Sequence, residues 1–530
     1  MALTLVHPGS LAETLSGAPS GPPSEAPSGS LAGTLFEPLA VGPVTLPNRI
    51  VLPAMVTRLS GEDGHVNPAI VDRYVRFAKG EPGLIVVEAM GISQAKSGPL
   101  LRIGDDAFLP GLKLLAARVH ASSATLVVPQ IIHFLKIARS GWRQTVSDLT
   151  IAEIDALIGQ FAAAAVRARR AGFDGVELHM AHAYTLSSFL SRRNRRRDEY
   201  GGSLANRLRA PTRALLAVRQ AVGRDFLIGV RFDGEECITD GYSVHDAQQI
   251  AVQLGRSGAD YVSISAGGKF EDAVKKPGEP LYPYTGYSGD RCMPGKAYPD
   301  GLNLYLSVGV RQALHAHGLP HVRVVGTGKI WDPDHAAQLV PGQVDLVGMA
   351  RQLLADPDWP RKVRAGRRDT IVFCEYGNVC KALDENFQRV RCTLWPKDSL
   401  HAPESILPRA APPPRWPEGG AGLGAELARG RVRLTWQRAL AAPTAASPPE
   451  ELYGYELLRA PGPPAAELTH YASVRAATPS FLDTDVLSGQ TYTYAVQAYD
   501  RRGVRGPRSE PLVVVLPAQD EGADACATEP

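Results

Sequence analysis

The feature that most constrains this chain is a series of eight short β-type runs, each followed by a helix-like stretch, between Phe36 and about Leu400. The runs are Arg49–Ala54, Leu84–Glu88, Thr125–Ile131, Gly175–Leu178, Phe226–Arg231, Tyr261–Ser265, Val322–Val325 and Leu346–Gly348. Most are near-continuous in Val, Ile and Leu, as strands buried on both faces require. The segments between them carry helical signals. Residues 151–171 are entered through Thr150 with Glu153 three positions on, and Val244–Ser257 through Ser243. Eight β/α pairs in one series predict an α/β fold, a closed (β/α)8 TIM barrel, over an open doubly wound sheet.

A barrel presents its chemistry at the C-terminal ends of its strands. The fourth run releases His179, His182 and Tyr184 within six residues and leads into a polar loop, Asp198-Glu199-Tyr200-Gly201-Gly202-Ser203. The first run ends on Ala54, Met55 and Val56, the second on Ala89, the third on Gln130 and the fifth on Arg231. The seventh ends Gly326-Thr327-Gly328-Lys329 and the eighth Gly348-Met349-Ala350-Arg351. Bare backbone N–H groups beside a base at those two places suit a phosphate. Gln130 and Arg231 suit the edge of a heteroaromatic ring that needs both donors and acceptors. Blander readings stand beside these. The histidines can be satisfied core residues or a metal pair, and Tyr184 a packing residue. Arg231 can answer a lumen carboxylate, Gln130 can cap a loop, and the glycines can form a simple strand-to-helix turn.

Composition narrows the partners. Lys plus Arg number 57 against 54 Asp plus Glu, so no electrostatic case for nucleic acid exists, and the basic run Arg192–Arg197 reads as a solvated or phosphate-facing loop. Six cysteines in 530 residues are too few for a disulfide scaffold and fit a reducing compartment. No apolar run approaches the ~20 residues of a membrane helix. Residues 1–33, rich in Ser, Gly, Pro and Ala, read as a disordered tail without a signal-peptide pattern. A cytoplasmic protein with no membrane partner is the expectation.

The barrel is expected over residues 34–400, a Pro/Ala/Gly-rich linker over 401–426, an all-β unit over 427–517 and a polar tail over 518–530. In the β unit, strand signals fall at Val432–Gln437, Tyr455–Arg459, Tyr471–Val474, Phe481–Leu482, Thr491–Ala498 and Leu512–Leu516. With Trp436 and the pattern Leu487-x-Gly489-x-x-Tyr492-x-Tyr494-x-Val496-x-Ala498, this unit resembles a fibronectin type III sandwich, a fold that implies no chemistry. Contact with another protein or a glycan is one use for it.

Five motifs in order resemble the Old Yellow Enzyme family of NAD(P)H:flavin oxidoreductases, including the barrel of 2,4-dienoyl-CoA reductases. They are Pro47-Asn48-Arg49-Ile50-Val51, Gly83-Leu84-Ile85-Val86-Val87-Glu88-Ala89, His179-x-x-His182-x-Tyr184, Asp198–Ser203 with Asn206-Arg207, and Asp345–Arg351. The resemblance implies FMN as cofactor and NADPH or NADH as hydride donor. Gln130 and Arg231 would then meet the pyrimidine edge, and Ala54, Met55, Val56 and Ala89 would lie along the ring. Gly326, Gly328, Lys329, Gly348, Ala350 and Arg351 would hold the phosphate. His179 and His182 would together bind the carbonyl oxygen of a small-molecule α,β-unsaturated substrate, and Tyr184 would give the proton. Two imidazole donors at a developing oxyanion are worth about 2–4 kcal/mol each, and a phenol of pKa ~10 can protonate an enolate.

The chain departs from that pattern in several places. Relatives often read QxxHxGR after the third strand, where Gln130-Ile131-Ile132-His133-Phe134-Leu135-Lys136 stands here. Val56 offers no hydrogen bond beside the flavin. The dienoyl-CoA reductase branch binds a 4Fe–4S cluster through four cysteines. This chain has Cys374, Cys380 and Cys392, with Gly377 at the place of a cysteine, which argues against a cluster or any other metal. The Gly267–Asn303 loop, with Tyr282, Tyr284, Tyr287 and Cys292, is a candidate substrate lid or interaction loop. Two alternatives to an ene-reductase remain. One is a flavin amine-type dehydrogenase on the same barrel. The other is a degenerate barrel serving as scaffold for the C-terminal module.

Overall fold

The computed structural model describes residues 31–93, 98–136, 144–268, 289–340, 342–404, 413–428, 430–440, 452–463, 467–500 and 504–517. Residues 1–30, the lid candidates Tyr282, Tyr284 and Tyr287, and the tail 518–530 lie outside them. The chain forms two compact units, divided between Leu407 and Pro408.

In the first unit all eight expected runs are parallel strands: β1 Ile50–Leu52, β2 Leu84–Gly91, β3 Leu126–Ile132, β4 Gly175–Met180, β5 Leu227–Asp233, β6 Tyr261–Ser265, β7 Arg323–Thr327 and β8 Leu346–Gly348. They pair in sequence order, and β8 closes on β1 through Val347 opposite Ile50. β2, β4, β5 and β6 are buried along their whole length, which explains why they read as unbroken apolar runs. The expected helices follow. Ile151–Arg170 starts at Thr150, whose side chain accepts from the Glu153 N–H while Glu153 answers the Thr150 N–H at 2.8 Å. Val244–Arg256 starts at Ser243 with the reciprocal pair supplied by Asp246. Each such cap is worth about 1 kcal/mol.

A short hairpin, Leu39–Val41 with Val44–Leu46, covers the N-terminal end of the barrel. Its Val41 and Leu46 pack in one apolar cluster with Val51, Leu84, Val128, Leu227, Tyr261, Val325 and Leu346. The open end is therefore the C-terminal one. In the lumen the Tyr261 ring lies across Gly229, where a Cβ would stand 2.0 Å from Tyr261 Cζ. After β8, residues 374–404 return to the barrel: Arg73 donates to the carbonyls of Val390 and Leu400, and its guanidinium lies over Trp395.

The second unit is all-β. Strands β9 Gly424–Ala428, β10 Arg431–Thr435 and β13 Ser480–Asp483 form one antiparallel sheet. The other joins β12 Thr469–Arg475, β11 Leu452–Pro461, β14 Thr491–Asp500 and β15 Arg505–Arg508, with β16 Leu512–Val515 also on β14. Val432, Leu434 and Trp436 meet Tyr455, Leu457, Tyr494 and Val496 in the core between them. The stretch 401–426 is not wholly a connector. β9 begins inside it, and Trp416 stacks on Tyr455 and donates to the Pro507 carbonyl. Its Pro, Ala and Gly content conceals a strand held mainly by backbone pairing to β10.

Gly229→Ala forces a methyl into the Tyr261 ring, so it is expected to lower stability by about 2 kcal/mol or more. Urea unfolding checks this, and an unchanged midpoint would contradict the packing described.

Candidate functional site

A cavity of about 1420 Å³ opens at the C-terminal end of the barrel. Its wall includes Ala54, Met55, Val56, Ala89, Gln130, His179, His182, Tyr184, Arg231, Gly328, Lys329, Gly348, Ala350 and Arg351. Of the residues assigned from the sequence, Gly326 alone is not in the wall. A Cβ there would lie 2.6 Å from Val344 and 3.4 Å from Leu304, so that glycine is bare because the turn before β8 and the start of the Leu304–Ala316 helix pack on it. Gly348 has a packing reason too, since a Cβ would sit 2.7 Å from Thr327 Cγ2. Gly328 has φ +133°, a backbone angle that favours glycine.

The floor is organised by Glu177, which the motif reading passed over. It alternates with His179 along β4, so both point into the lumen. Gln130 Nε2 donates to Glu177 Oε1 at 2.7 Å, and Tyr261 OH donates to Oε2 at 3.0 Å. Burial pushes the Glu177 carboxyl up, and the charge of Arg231 pulls it back. Arg231, in register with His179 and Ser263, donates to Ser263 Oγ at 2.8 Å and to Ser265 Oγ at 3.2 Å. Arg231 thus does sit beside a lumen carboxylate, and Gln130 is held by the same group while both line the cavity.

The histidines are arranged in series, not as two parallel donors. The Ala181 N–H donates to His179 Nδ1 at 3.2 Å, which leaves the hydrogen of a neutral His179 on Nε2. That nitrogen is 3.2 Å from His182 Nδ1, so His182 in turn carries its hydrogen on Nε2 and presents it to Ser265 Oγ at 2.6 Å. Burial, then Arg231, pushes His182 well below the usual imidazole range; burial, His182 and Arg231 do so for His179. In this tautomeric arrangement the two rings form a relay whose terminal hydrogen is on His182 Nε2. The relay is reached through a strained turn. His182 and Ala183 take φ of 59° and 58°, and the His182 N–H is pinned to Asp233 Oδ2 at 2.8 Å. Tyr184 stands edge-on between His179 and Phe134, with centroids at 4.9 and 5.1 Å.

On the opposite side, the two bases assigned to phosphate are already engaged. Lys329 Nζ lies 3.0 Å from Asp300 Oδ1, and Arg351 Nη1 donates to Pro294 O at 2.8 Å and Asn378 Oδ1 at 2.6 Å. Both cations face the Tyr376 ring, at 4.9 and 4.7 Å from its centre. Neither Ser263, Ser265, Asp233 nor Tyr376 was singled out from the sequence. The serines alternate on β6 like the other lumen residues, whereas Tyr376 arrives from a loop that no local pattern places.

Cys374, Cys380 and Cys392 supply three thiols where a four-thiolate cluster takes four. Burial pushes Cys374 up to about 11, Cys392 up to about 12, and Cys380 upward. Among the described residues no three His, Cys, Asp or Glu side chains are grouped to hold a metal ion.

Two neutral imidazoles predict a pH signature. Unfolded imidazoles bind protons near 6.5 while the folded ones refuse them, so the unfolded state holds more protons and stability falls as pH drops below about 6.5. His133, lowered to about 4 by burial, adds to that fall and Glu88, raised to about 7 by burial, opposes it, so the histidine pair is read by difference: in thermal unfolding between pH 8 and 5, His179→Gln with His182→Gln should lose less stability on acidification than the parent protein. A double variant with an equal slope would contradict the assignment.

The model of the NADH:flavin oxidoreductase / NADH oxidase family matches residues 34–279 and 307–370. NADH oxidase from Thermoanaerobacter brockii is 32% identical over 387 residues, 68% of this chain and 56% of the relative. NADPH dehydrogenase from Bacillus licheniformis is 31% identical over 351 residues, 62% of this chain and 93% of its own length. Among solved structures, histamine dehydrogenase from Rhizobium sp. 4-9 superposes with a TM-score of 0.59 at 25% identity, over 69% of this chain and 53% of that one. The chain thus spans little more than half of the first of these relatives and nearly all of the second. With the closed barrel and its lumen site in place, the chain belongs to the NADH:flavin oxidoreductase / NADH oxidase family, the Old Yellow Enzyme-like flavoenzymes.

Proposed function

We propose that the protein is an FMN-dependent NAD(P)H oxidoreductase of the ene-reductase type, reducing the activated C=C bond of an α,β-unsaturated carbonyl compound. The observation that carries this reading is one cavity lined both by Gln130 and Arg231 and by His179, His182 and Tyr184. Its volume of about 1420 Å³ exceeds the ~300–1,000 Å³ of a single-ligand pocket, which leaves room for a flavin and a second molecule. The amide of Gln130 and the guanidinium of Arg231, fixed around Glu177, fit the polar edge of a flavin. Arg351 and the backbone at Gly348 and Ala350 fit its phosphate end. When bound, the flavin supplies a hydride taken from NADH or NADPH.

The protein's own part is polar. We assign the His182 Nε2–H, at the head of the relay, to the substrate's carbonyl oxygen in exchange for Ser265 Oγ. His179 fixes the tautomer that keeps that hydrogen there. A neutral N–H donor preset in a buried site stabilises charge developing on the oxygen by about 2–4 kcal/mol. Tyr184, beside the pair, supplies the proton to the α-carbon.

The likeness to histamine dehydrogenase supports a second reading, amine oxidation. Charge speaks against it. Lys136, Arg193, Arg195 and Arg231 line the cavity, whereas the lining carboxylate Asp384 is already paired with Arg58 at 2.7 Å. An ammonium substrate meets like charge there. For the C-terminal unit, the strand orders β9-β10-β13 and β12-β11-β14-β15 support the reading as a fibronectin type III-like sandwich.

The double variant His179→Ala, His182→Ala should retain flavin and lose about 10²–10³ in enone turnover. Tyr184→Phe should slow flavin reoxidation by an enone about 10²-fold and leave its reduction by NAD(P)H unchanged. Stopped-flow absorbance separates the two half-reactions. Reoxidation at the wild-type rate in both variants would overturn the assignment.

A further inference from the structure

The cavity wall includes Cys292, a thiol that the proposed chemistry does not use. Its Sγ lies 3.1 Å from His182 Nε2 and 3.8 Å from the Ser265 hydroxyl that donates to it, and it lines the cavity. The relay gives the His182 Nε2 hydrogen to Ser265 Oγ, and the Ser265 hydroxyl hydrogen is then directed at the sulfur. A thiol at this distance from an imidazole and a hydroxyl, in the wall of the cavity, is placed to meet an electrophile that enters beside His182.

A second observation belongs to the same cluster. Asp233 Oδ1 is buried, has no hydrogen-bond partner among the described residues, and lies 3.9 Å from His182 Nε2. A buried oxygen left without a donor costs about 1–3 kcal/mol, and such groups call for a functional explanation. Burial pushes the Asp233 carboxyl well above the usual carboxylate range, and the neighbouring Cys292 and Glu236 push it the same way.

We propose that Cys292 is a covalent capture site for electrophilic alkenes that enter the cavity. The sulfur attacks the β-carbon, forming an S–C bond as the C=C π bond breaks. That electron pair passes to the α-carbon, which takes up the proton the thiol gives up. No oxidant or reductant is needed. The thioether then sits against His182 and blocks the carbonyl site, so capture competes with reduction and the most reactive alkenes shut the site down. The ligand class rests on the ene-reductase reading; the thiol geometry does not.

The test is limited labelling of the full chain with N-ethylmaleimide, without nicotinamide, read by peptide mass spectrometry. Cys237, Cys374, Cys380 and Cys392 serve as internal references. Cys292 should label at least about tenfold faster than each of them, and labelled protein should lose enone turnover. Labelling at an equal or slower rate overturns the inference, and so does full turnover by protein labelled at Cys292. Reoxidation of the reduced, unlabelled protein by 2-cyclohexenone is followed on the same preparation. Slow labelling with normal reoxidation overturns the capture site alone, and fast labelling without reoxidation overturns the proposed function alone.

Discussion

A carboxylate sealed in the barrel lumen, Glu177, is the constraint on which the site depends. Only 1% of it is exposed, and it is held by Gln130 from β3, Tyr261 from β6 and the charge of Arg231 from β5. Removing it would leave the buried Gln130 amide and Tyr261 hydroxyl without their acceptor, at about 1–3 kcal/mol each. The carboxylate therefore fixes the orientation of Gln130, while Ser263 and Ser265 hold Arg231. Tyr261 carries the constraint downward, where its ring covers Gly229 and joins the hairpin cluster that closes the barrel's other end.

Above that floor, the backbone sets the chemistry of the histidines. Two successive residues in the left-handed region, His182 and Ala183, turn the chain back so that both imidazoles reach one lumen position. The Ala181 N–H then decides which nitrogen of His179 carries hydrogen, and His182 inherits its tautomer from His179. Burial keeps both rings neutral, which makes them donors without adding charge to a site that already holds Arg231. In this arrangement the hydrogen at the end of the relay is on His182, and His179 orients it.

Much of this was legible in the sequence because parallel barrel strands are buried on both faces and announce themselves as apolar runs. All eight appear where expected, and the side chains at their C-terminal ends converge as a barrel requires. Glu177, Ser263 and Ser265 were equally readable in principle, since they share the period-two face of residues already singled out. The pairing of Lys329 with Asp300, of Arg351 with Asn378, and of Cys292 with His182 was not, because each brings together loops separated by tens to more than a hundred residues. Local pattern carries no information on such closures. Gly326 illustrates the reverse error: a glycine beside a ligand-binding turn can be bare for the sake of side chains packed behind it, here Val344 and Leu304.

The central claim is that this cavity couples a nicotinamide, a flavin and an activated alkene. The most direct test is an anaerobic absorption spectrum of the purified protein, recorded after addition of NADPH or NADH and again after 2-cyclohexenone. The account predicts an oxidised-flavin band that bleaches with the nicotinamide and returns with the enone. A protein that shows no flavin band even after FMN is added back, or whose bleached band does not return with the enone, would contradict it.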